Sequence, residues 1–271
     1  MRIGAKVKGM RASELFHKHR CESTHVEEPK GASSAPISGA SGYDPVVSSV
    51  FRPVALVPAY QAASTVGRVV RGIRESVERV VVVDDGSTDA TAQEAERARA
   101  EVLRLPANVG KGAALRAGLE RALASDATHV AFVDADGQHD PADLPKLLAA
   151  ARAGEQFVIG SRMAEPDSIP AYRYRTNEIG SRILSRMTGL EIEDAQSGYR
   201  VVAADVLRRL RLNARGYIIE TEILLKAAPH LTRLCQVPVR AIYGGASHYR
   251  PFLDTWVISW GAVYYKVFET D

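Results

Sequence analysis

Short Val-rich runs alternate with amphipathic helical patterns over much of this 271-residue chain. Strands that are continuously apolar and are each followed by a helix are typical of a mostly parallel sheet covered on both faces. From residue 54 onward, the runs that predict strands are VALVPAY, RVVVVDDG, EVLRL, HVAFVDADG and QFVIGSR. The alternation therefore predicts an α/β fold, a Rossmann-like, mostly parallel sheet with helices on both faces.

The composition fits one large globular domain with appendages. Hydrophobic residues make up 46% of the chain and charged residues 25%, which is enough apolar surface for a substantial core. The formal net charge of +3 is too small to predict binding to nucleic acid. No apolar run approaches the roughly 18 residues of a spanning helix, and the N-terminus lacks the apolar core of a signal peptide. A cytoplasmic protein is expected.

The chain divides into three parts by composition. Residues 1–50 predict a disordered leader, with a short docking helix and a linker as the alternative. Residues 51–250 carry the α/β pattern and form the expected catalytic domain. Residues 251–271 have an aromatic residue at every fourth position from Phe252 to Phe268, which gives one stripe on a helix. Such a stripe suits a membrane surface, or packing on the sheet or on a second protomer.

Polar clusters follow three of the predicted strands, at the carboxyl ends where parallel sheets bind their ligands. The clusters are Pro58 to Tyr60, Asp84 to Ser87 and Asp134 to His139. The first strand is followed by PAYQAAS rather than by a G-x-G-x-x-G turn, so an NAD or FAD site is not predicted. We expect the three clusters to face one crevice.

Two of these clusters hold more negative charge than a turn needs. Helix capping explains Ser87 but not Asp84 and Asp85 together, whose repulsion a ligand's ribose or base, or a cation, would offset. Asp134 and Asp136 form a D-x-D pair that a hard cation can bridge to a diphosphate. Mg²⁺ and Mn²⁺ prefer such oxygen ligands and keep positions open for phosphate.

Three neighbouring residues extend the predicted phosphate and metal site. Gln138 offers a neutral oxygen close to the D-x-D pair, and His139 either supports that pair or is an ordinary polar loop residue. The segment NVGKGAAL opens a helix, where its glycines allow a backbone approach to phosphate with Lys111 as a point charge. A simple loop-to-helix turn is the alternative for this segment.

The stretch from Arg162 to Arg186 is locally basic, with five arginines against three acidic residues. Arginine forks suit phosphate, so this stretch predicts a phosphate-bearing second substrate. A solvated helix face is the alternative and accounts for Arg182 and Arg186.

The motifs PAY, VVDDGSTD, N-x-GKG, VDADGQHD, GSR and SGYR, taken together, resemble the family 2 glycosyltransferases of GT-A fold. The similarity is greatest to the dolichyl- or polyprenyl-phosphate mannosyl- and glucosyltransferases. The resemblance implies an inverting, metal-dependent transfer of a hexose from GDP-mannose or UDP-glucose to dolichyl or undecaprenyl phosphate. It further implies Mg²⁺ or Mn²⁺ as cofactor and a peripheral position at the inner membrane face.

The resemblance also assigns a donor side. Base and ribose would contact Pro58, Tyr60 and Asp85, with Asp84 in support. The metal ligands would be Asp134, Asp136 and Gln138. The donor-binding set as a whole is Pro58, Tyr60, Asp84, Asp85, Lys111, Asp134, Ala135, Asp136 and Arg240. Where the family often has P-x-Y-N-E, this chain has Gln61 and Ala62, which leaves uracil and guanine both open.

On the acceptor side, Arg162, Arg173 and Asn177 match family positions that bind the lipid phosphate. Asp194 and Arg200 are the expected catalytic residues: the first would orient or deprotonate the acceptor, and the second would bind phosphate or fix its loop. A phosphate monoester is largely dianionic at neutral pH, so it needs positioning more than a strong base. Glu220 and Glu222 are weaker candidates for that base, because acidic residues are common in a helix's first turn.

Two other functions remain as alternatives. A family 2 glycosyltransferase with a non-lipid acceptor would share the donor site, but a neutral acceptor would not require Arg162 and Arg173 together. A noncatalytic nucleotide-sugar-binding protein would not require an intact D-x-D pair. The oligomeric state is left open.

Overall fold

The computed structural model describes residues 50–164, 169–214, 216, 218–240 and 242. The strands are β1 (Pro53–Ala59), β2 (Arg79–Asp84), β3 (Glu101–Arg104), β4 (His129–Phe132), β5 (Phe157–Ser161), β6 (Arg200–Ala203) and β7 (Cys235–Pro238). The α-helices are α1 (Val66–Arg74), α2 (Thr91–Arg97), α3 (Lys111–Leu123), α4 (Leu144–Arg152), α5 (Ala171–Thr188), α6 (Ala204–Leu207) and α7 (Ile218–Ala227). Short 3₁₀ helices cover Pro141–Asp143 and Ala228–His230.

Within the described part of the chain, the strands form one mixed sheet in the order β3-β2-β1-β4-β6-β5-β7. Strands β3, β2, β1 and β4 are parallel neighbours, and β5 pairs with β7 in parallel. Strand β6 runs antiparallel to both β4 and β5. Because β1, β2 and β4 share one direction, the segments that follow them emerge at the same edge of the sheet.

Helices cover both faces of the sheet, because alternate residues of each strand point to opposite sides. In β1, Val54 and Leu56 join a core cluster with residues of α3, α5, α6 and α7. Ala55 and Val57 join a second cluster with residues of α1, α2 and α4. These central strand residues are buried on either face, which explains why the strands read as continuous apolar runs.

Local sequence signals set several element boundaries. The Asp140 side chain accepts a hydrogen bond from the backbone N–H of Ala142, so it caps the 3₁₀ turn that leads into α4. Helix α5 ends at Gly189, whose φ of 74° is a left-handed conformation that glycine adopts without steric cost. Gly86 also has a positive φ, and a Cβ there would lie 2.3 Å from the backbone of Ala107. Only glycine fits that turn after β2.

The predicted α/β architecture is confirmed, with one difference in detail. Arg200 of the SGYR motif, for which a loop position was one expectation, is the first residue of the interior strand β6. Residues 1–49 of the expected leader and the aromatic segment 251–271 lie outside the described residues. No helix in the described part of the chain is long and apolar enough to cross a membrane.

Candidate active site

A cavity of about 480 Å³ opens at the carboxyl ends of β1, β2 and β4. Eight of the residues expected on the donor side line it: Pro58, Tyr60, Asp85, Lys111, Asp134, Ala135, Asp136 and Gln138. The three residues expected to bind the acceptor phosphate, Arg162, Arg173 and Asn177, line it as well. Asp84, Asp194, Arg200 and Arg240 are not part of its lining.

The loop after β1 is held by side chains of the loop after β2. Ser87 Oγ accepts a hydrogen bond from the backbone N–H of Gln61 at 2.9 Å, and Asp89 Oδ2 accepts one from Ala63 at 3.1 Å. Burial raises the pKa of Asp89, but hydrogen bonds from Thr91 and from backbone N–H groups outweigh it, and the net pKa is lowered. These contacts fix the segment that carries the exposed ring of Tyr60 at the cavity wall.

The Asp84–Asp85 pair is stabilised by the backbone. Asp85 Oδ1 and Oδ2 each accept a hydrogen bond at 2.8 Å, from the backbone N–H groups of Val109 and Gly110. Asp84 is fully buried, and its Oδ1 accepts a hydrogen bond from Ser87 N at 2.9 Å. Asp85, which lines the cavity, therefore holds the loop that precedes α3 in place. Asp84 stabilises the turn that follows β2.

Lys111 bridges two carboxylates in the centre of the cavity. Its Nζ lies 2.6 Å from Asp134 Oδ1 and 2.6 Å from Glu220 Oε1. Burial alone would lower the pKa of Lys111, but the charges of Asp134 and Glu220 outweigh it, and the pKa lies above its ordinary value. The ammonium group is therefore a permanent positive charge beside the D-x-D pair. Asp134 has a lowered pKa, since the Lys111 charge overcomes its burial.

The surroundings of Asp136 disfavour its ionised form, in contrast to those of Asp134. Burial and the neighbouring charge of Asp134 raise its pKa, although its Oδ1 accepts a hydrogen bond from Gln138 N at 2.9 Å. A divalent cation would relieve this cost, because a carboxylate pair with open sites for diphosphate oxygens suits hard cations. Among the described residues, no group of three or more His, Cys, Asp or Glu side chains is arranged to hold a metal. The fit to a cation therefore rests on the two carboxylates.

His139 is buried at the base of the cavity and packs on Tyr199, with ring centroids 4.9 Å apart. Burial lowers the pKa of His139 to about 4, and the charges of Arg162 and Lys111 act in the same direction. The imidazole is therefore neutral at neutral pH. Its Nε2 is 4.0 Å from Asp134 Oδ2, which is too far for a direct hydrogen bond.

Asp194 is buried and hydrogen-bonds to two of the residues expected on the acceptor side. Its carboxylate accepts two hydrogen bonds of 2.8 Å from the Arg162 guanidinium, one from the Arg162 backbone N–H and one of 2.7 Å from Asn177 Nδ2. Burial would raise the pKa of Asp194, but Arg162 and these hydrogen bonds hold it below its ordinary value. A carboxylate so stabilised is a weak base, and its geometry is that of a group that orients Arg162 and Asn177.

Arg200 lies inside the protein, beneath the cavity. Its guanidinium donates to three backbone carbonyls, those of Ser197 at 2.7 Å, Glu220 at 2.6 Å and Ala195 at 2.7 Å. This buried arrangement fits the expected role of fixing the loop and leaves the guanidinium no access to a phosphate in the cavity.

Arg240 and Glu222 lie outside the cavity lining. The Arg240 backbone N–H donates to Asp143 Oδ2 at 2.9 Å, next to the loop that follows β4. Glu222 is buried and accepts hydrogen bonds from Asn213, Ala214 and Lys226, which ties α7 to the preceding segment. Its contacts are structural, in contrast to Glu220, which faces Lys111.

Two features of the cavity were missed or underrated by sequence reasoning. Glu220 was a weak candidate, yet it shares Lys111 with Asp134 across a separation of more than 80 residues that no local pattern reveals. Gly198 was not singled out within the SGYR motif. A Cβ at Gly198 would lie 2.7 Å from Asp134 Oδ2 and 3.0 Å from Glu220 Oε1, so this glycine makes room for the carboxylates.

The geometry agrees with a family assignment made on the sequence. Residues 54–211 match the sequence profile of the family described as "Glycosyl transferase family 2", which is more than half of the chain and includes the cavity's strand ends. The chain belongs to glycosyl transferase family 2.

Two of the following three relatives of this family 2 glycosyltransferase are named for polyprenyl phosphates or their mannosyl products. The undecaprenyl-phosphate mannosyltransferase of Micrococcus luteus is 32% identical over 201 residues, which cover 69% of this chain and 82% of the relative. Polyprenol monophosphomannose synthase of Mycolicibacterium smegmatis is 29% identical over 217 residues, or 73% and 81% of the two chains. Glycosyltransferase AglJ of Haloferax volcanii is 34% identical over 188 residues, or 68% of this chain, but the match spans only 60% of AglJ.

Solved structures match the fold. Glucosyl-3-phosphoglycerate synthase from Mycobacterium tuberculosis, in complex with Mn²⁺, UDP and glucosyl-3-phosphoglycerate, superposes with a TM-score of 0.62 at 23% identity. The match covers 79% of this chain and 78% of that one. Its complex with phosphoglyceric acid gives a TM-score of 0.60 at 22% identity, with the same coverage. The expected GT-A fold is thereby confirmed.

The crowding at Gly198 predicts a selective defect in this glycosyltransferase. In Gly198→Ala, the added methyl pushes on the carboxylates of Asp134 and Glu220, and such displacements near reacting groups cost about 100-fold in rate. We expect kcat/KM for glycosyl transfer to fall by about that factor. The melting temperature should change little, because flexible carboxylate ends can yield.

Gly180→Ala is the matched control for this substitution. Among the residues that the structure describes, none has an atom within 4 Å of a Cβ built at Gly180 in α5. In a helix interior the change from Gly to Ala stabilises by about 0.5–1 kcal/mol. Activity should therefore be retained in Gly180→Ala, and equal activity in the two variants would contradict the role assigned to Gly198.

Proposed function

We propose that this family 2 glycosyltransferase is an inverting, metal-dependent enzyme that transfers a hexose from a nucleotide sugar to a polyprenyl phosphate. The observation that carries the proposal is that one cavity is lined by groups of both charges. Asp134 and Asp136 line it together with Arg162 and Arg173. A carboxylate pair suits a cation and a donor diphosphate, and guanidinium groups suit an acceptor phosphate.

On the donor side, the nucleotide's base and ribose would lie against Pro58, Tyr60 and Asp85, and its diphosphate near Lys111. Asp134 and Asp136, with Gln138 close by, would hold Mg²⁺ or Mn²⁺. When bound, such a cation neutralises the negative charge that develops on the leaving diphosphate. Lys111 supplies a further fixed positive charge in the same place, already oriented by Asp134 and Glu220.

On the acceptor side, Arg162 and Arg173 would bind the acceptor phosphate, and the Asn177 side chain would lie beside it. Asp194 acts by positioning, since it holds Arg162 and Asn177 in one buried network. A phosphate monoester with a second pKa of about 6 is mostly dianionic at neutral pH, so its oxygen can attack the anomeric carbon without a strong base. An in-line attack of this kind inverts the configuration of that carbon.

A polyprenyl phosphate is favoured over a soluble acceptor by the named relatives at 29–32% identity. A second candidate is transfer to a small phosphorylated acid, because solved structures of the same fold hold phosphoglyceric acid. Both acceptors carry a phosphate, so Arg162 and Arg173 suit either of them. With a lipid acceptor, the enzyme would work as a cytoplasmic protein bound peripherally at the inner membrane face.

A donor and acceptor panel tests the proposal. Purified full-length protein is incubated with radiolabelled UDP- or GDP-sugars and either polyprenyl phosphate in detergent or phosphoglyceric acid, with Mn²⁺, with Mg²⁺ or with EDTA. We expect a lipid-linked product from one donor, with inverted anomeric configuration and sensitivity to EDTA. Product on phosphoglyceric acid alone would replace the lipid acceptor with the soluble one. Folded protein that neither transfers nor hydrolyses any donor would overturn the enzymatic proposal.

A further inference from the structure

Helix α5 has two different long faces. At about 100° per residue, Asn177, Ser181 and Leu184 lie within an arc of about 60° and are buried against the domain. The opposite side carries five exposed residues, which we call the α5 stripe: Tyr172, Arg175, Ile179, Arg182 and Arg186. These five fall within an arc of about 80° and extend over about 21 Å. The stripe is a narrow, continuous surface rather than a scatter of positions.

The composition of the α5 stripe is unusual for a solvated helix face. Tyr172 and Ile179 are 51% and 57% exposed, so two large apolar side chains lie uncovered two turns apart. The other three stripe residues are arginines, and the whole helix holds four arginines against one glutamate. That glutamate, Glu178, pairs with Arg182 at 2.8 Å. The excess charge of the helix is therefore carried by Arg173, Arg175 and Arg186, of which the last two belong to the stripe.

We propose that the α5 stripe docks on an anionic lipid bilayer surface. A helix with apolar and aromatic side chains among basic ones lies in the headgroup region, where the former insert and the latter meet anionic lipids. A protein partner fits less well, because the cores of protein interfaces are depleted of charge and two apolar side chains bury too little area for a stable contact. Charge complementarity therefore favours the bilayer.

The stripe begins at the rim of the cavity. Arg173 lines the cavity, and its Nε donates a hydrogen bond of 3.1 Å to the hydroxyl of Tyr172, the first residue of the stripe. A bilayer against α5 would thus lie next to the part of the cavity wall that Arg173 forms. This link rests on the proposed function: a polyprenyl phosphate could reach Arg173 while its chain stays among the lipids.

Vesicle binding by the full-length chain tests the proposal. Sedimentation would be measured with vesicles of phosphatidylcholine alone and with vesicles that also contain phosphatidylglycerol. Each arginine near an anionic surface contributes about a fivefold factor, so Arg175→Gln/Arg186→Gln should weaken binding to the anionic vesicles by about 30-fold. Tyr172→Ser/Ile179→Ser should abolish the binding that survives at high salt, since insertion of apolar side chains is not screened.

The matched control is Arg209→Gln/Arg211→Gln, which removes the same charge from exposed positions after α6. It should bind anionic vesicles within about twofold of wild type, since its charges lie off the stripe. An equal loss in the control would mean that net charge alone drives binding, and full binding by both α5 variants would assign the contact to another part of the chain. Either result, or no preference of the wild type for anionic vesicles, overturns the proposal.

Glycosyl transfer in detergent separates this proposal from the proposed function. Arg175→Gln/Arg186→Gln should retain wild-type transfer to polyprenyl phosphate in detergent micelles, where no bilayer is needed, and a wild-type melting temperature. If the wild type makes no lipid product there, the acceptor assignment fails while the vesicle measurements still decide the docking surface. If Arg175→Gln/Arg186→Gln loses transfer in detergent, the stripe contributes to the site itself and the docking proposal is overturned.

Discussion

Asp136→Asn is expected to lower the rate of glycosyl transfer by about 1,000-fold, equivalent to about 4 kcal/mol of transition-state stabilisation. The substitution keeps the shape of the side chain and removes one of the two negative charges that would hold the divalent cation. The measurement is transfer from the active sugar nucleotide over a range of Mn²⁺ concentrations, with direct Mn²⁺ binding as a second readout. Both the rate and the affinity for Mn²⁺ should fall.

The same substitution should stabilise the metal-free protein. Burial and the Asp134 charge raise the pKa of Asp136 in the folded state. A carboxyl with a raised folded pKa contributes its full stability below its unfolded pKa of about 3.9, and that stability is lost as the pH rises through the folded pKa. At neutral pH the melting temperature of Asp136→Asn should therefore exceed that of the wild type. Asp205→Asn, an exposed carboxylate on α6, is the control and should change neither property.

The melting temperature and the Mn²⁺ affinity of Asp136→Asn together decide how its loss of activity is interpreted. Lower activity together with a lower melting temperature would mean that Asp136→Asn disrupts the fold, and the role in cation binding would lose its support. Unchanged Mn²⁺ affinity with lost activity would move Asp136 from cation binding to contact with the donor.

Asp194→Asn is expected to have the largest effect on stability, about 3–5 kcal/mol, because it leaves the Arg162 guanidinium partly buried without its counter-charge. The free energy of unfolding in urea measures this loss. Glu178→Gln is the matched control on α5, since it breaks the exposed ion pair with Arg182, which should contribute under about 0.5 kcal/mol. Asp194→Asn/Arg162→Gln should be less destabilised than Asp194→Asn alone, because both charges of the pair are then removed.

The pH dependence follows from the sign of the Asp194 shift. Its folded pKa lies below the ordinary value because Arg162 and the hydrogen bonds outweigh burial. The stability that the pair contributes is present above the unfolded pKa of about 3.9 and is lost as the pH falls through the lowered folded pKa. The gap in unfolding free energy between wild type and Asp194→Asn should therefore be constant near neutral pH and shrink in acid.

The rate of glycosyl transfer distinguishes positioning from base catalysis at Asp194. If Asp194 positions Arg162 and Asn177, transfer by Asp194→Asn should fall by about 100-fold at every pH in the neutral range. If Asp194 were the base, the loss should diminish as the pH rises and the acceptor needs no deprotonation. A recovery of activity at high pH would thus contradict the positioning role.

The layered architecture and the position of the crevice could be predicted from the sequence alone. Buried parallel strands must be apolar on both faces, so the Val-rich runs at residues 54–59 and 79–84 were readable as strands from composition and length. Parallel strands also bring their carboxyl ends to one edge. For that reason Asp85 and Asp134, far apart in sequence, could be assigned to one crevice, and both line the cavity.

The contacts of each charged side chain depend on how distant segments pack together. The insertion of β6 between β4 and β5 in the opposite direction depends on pairing between distant segments, which no local periodicity encodes. That insertion buries Arg200 under the cavity and brings Gly198 against Asp134. The Lys111 bridge to Glu220 and the Arg162–Asp194 pair likewise form across long separations in sequence. Residue types and local patterns limit which chemistry a chain can perform. The charge and the role of each group depend on burial and ion pairing, which are set by neighbours in three dimensions.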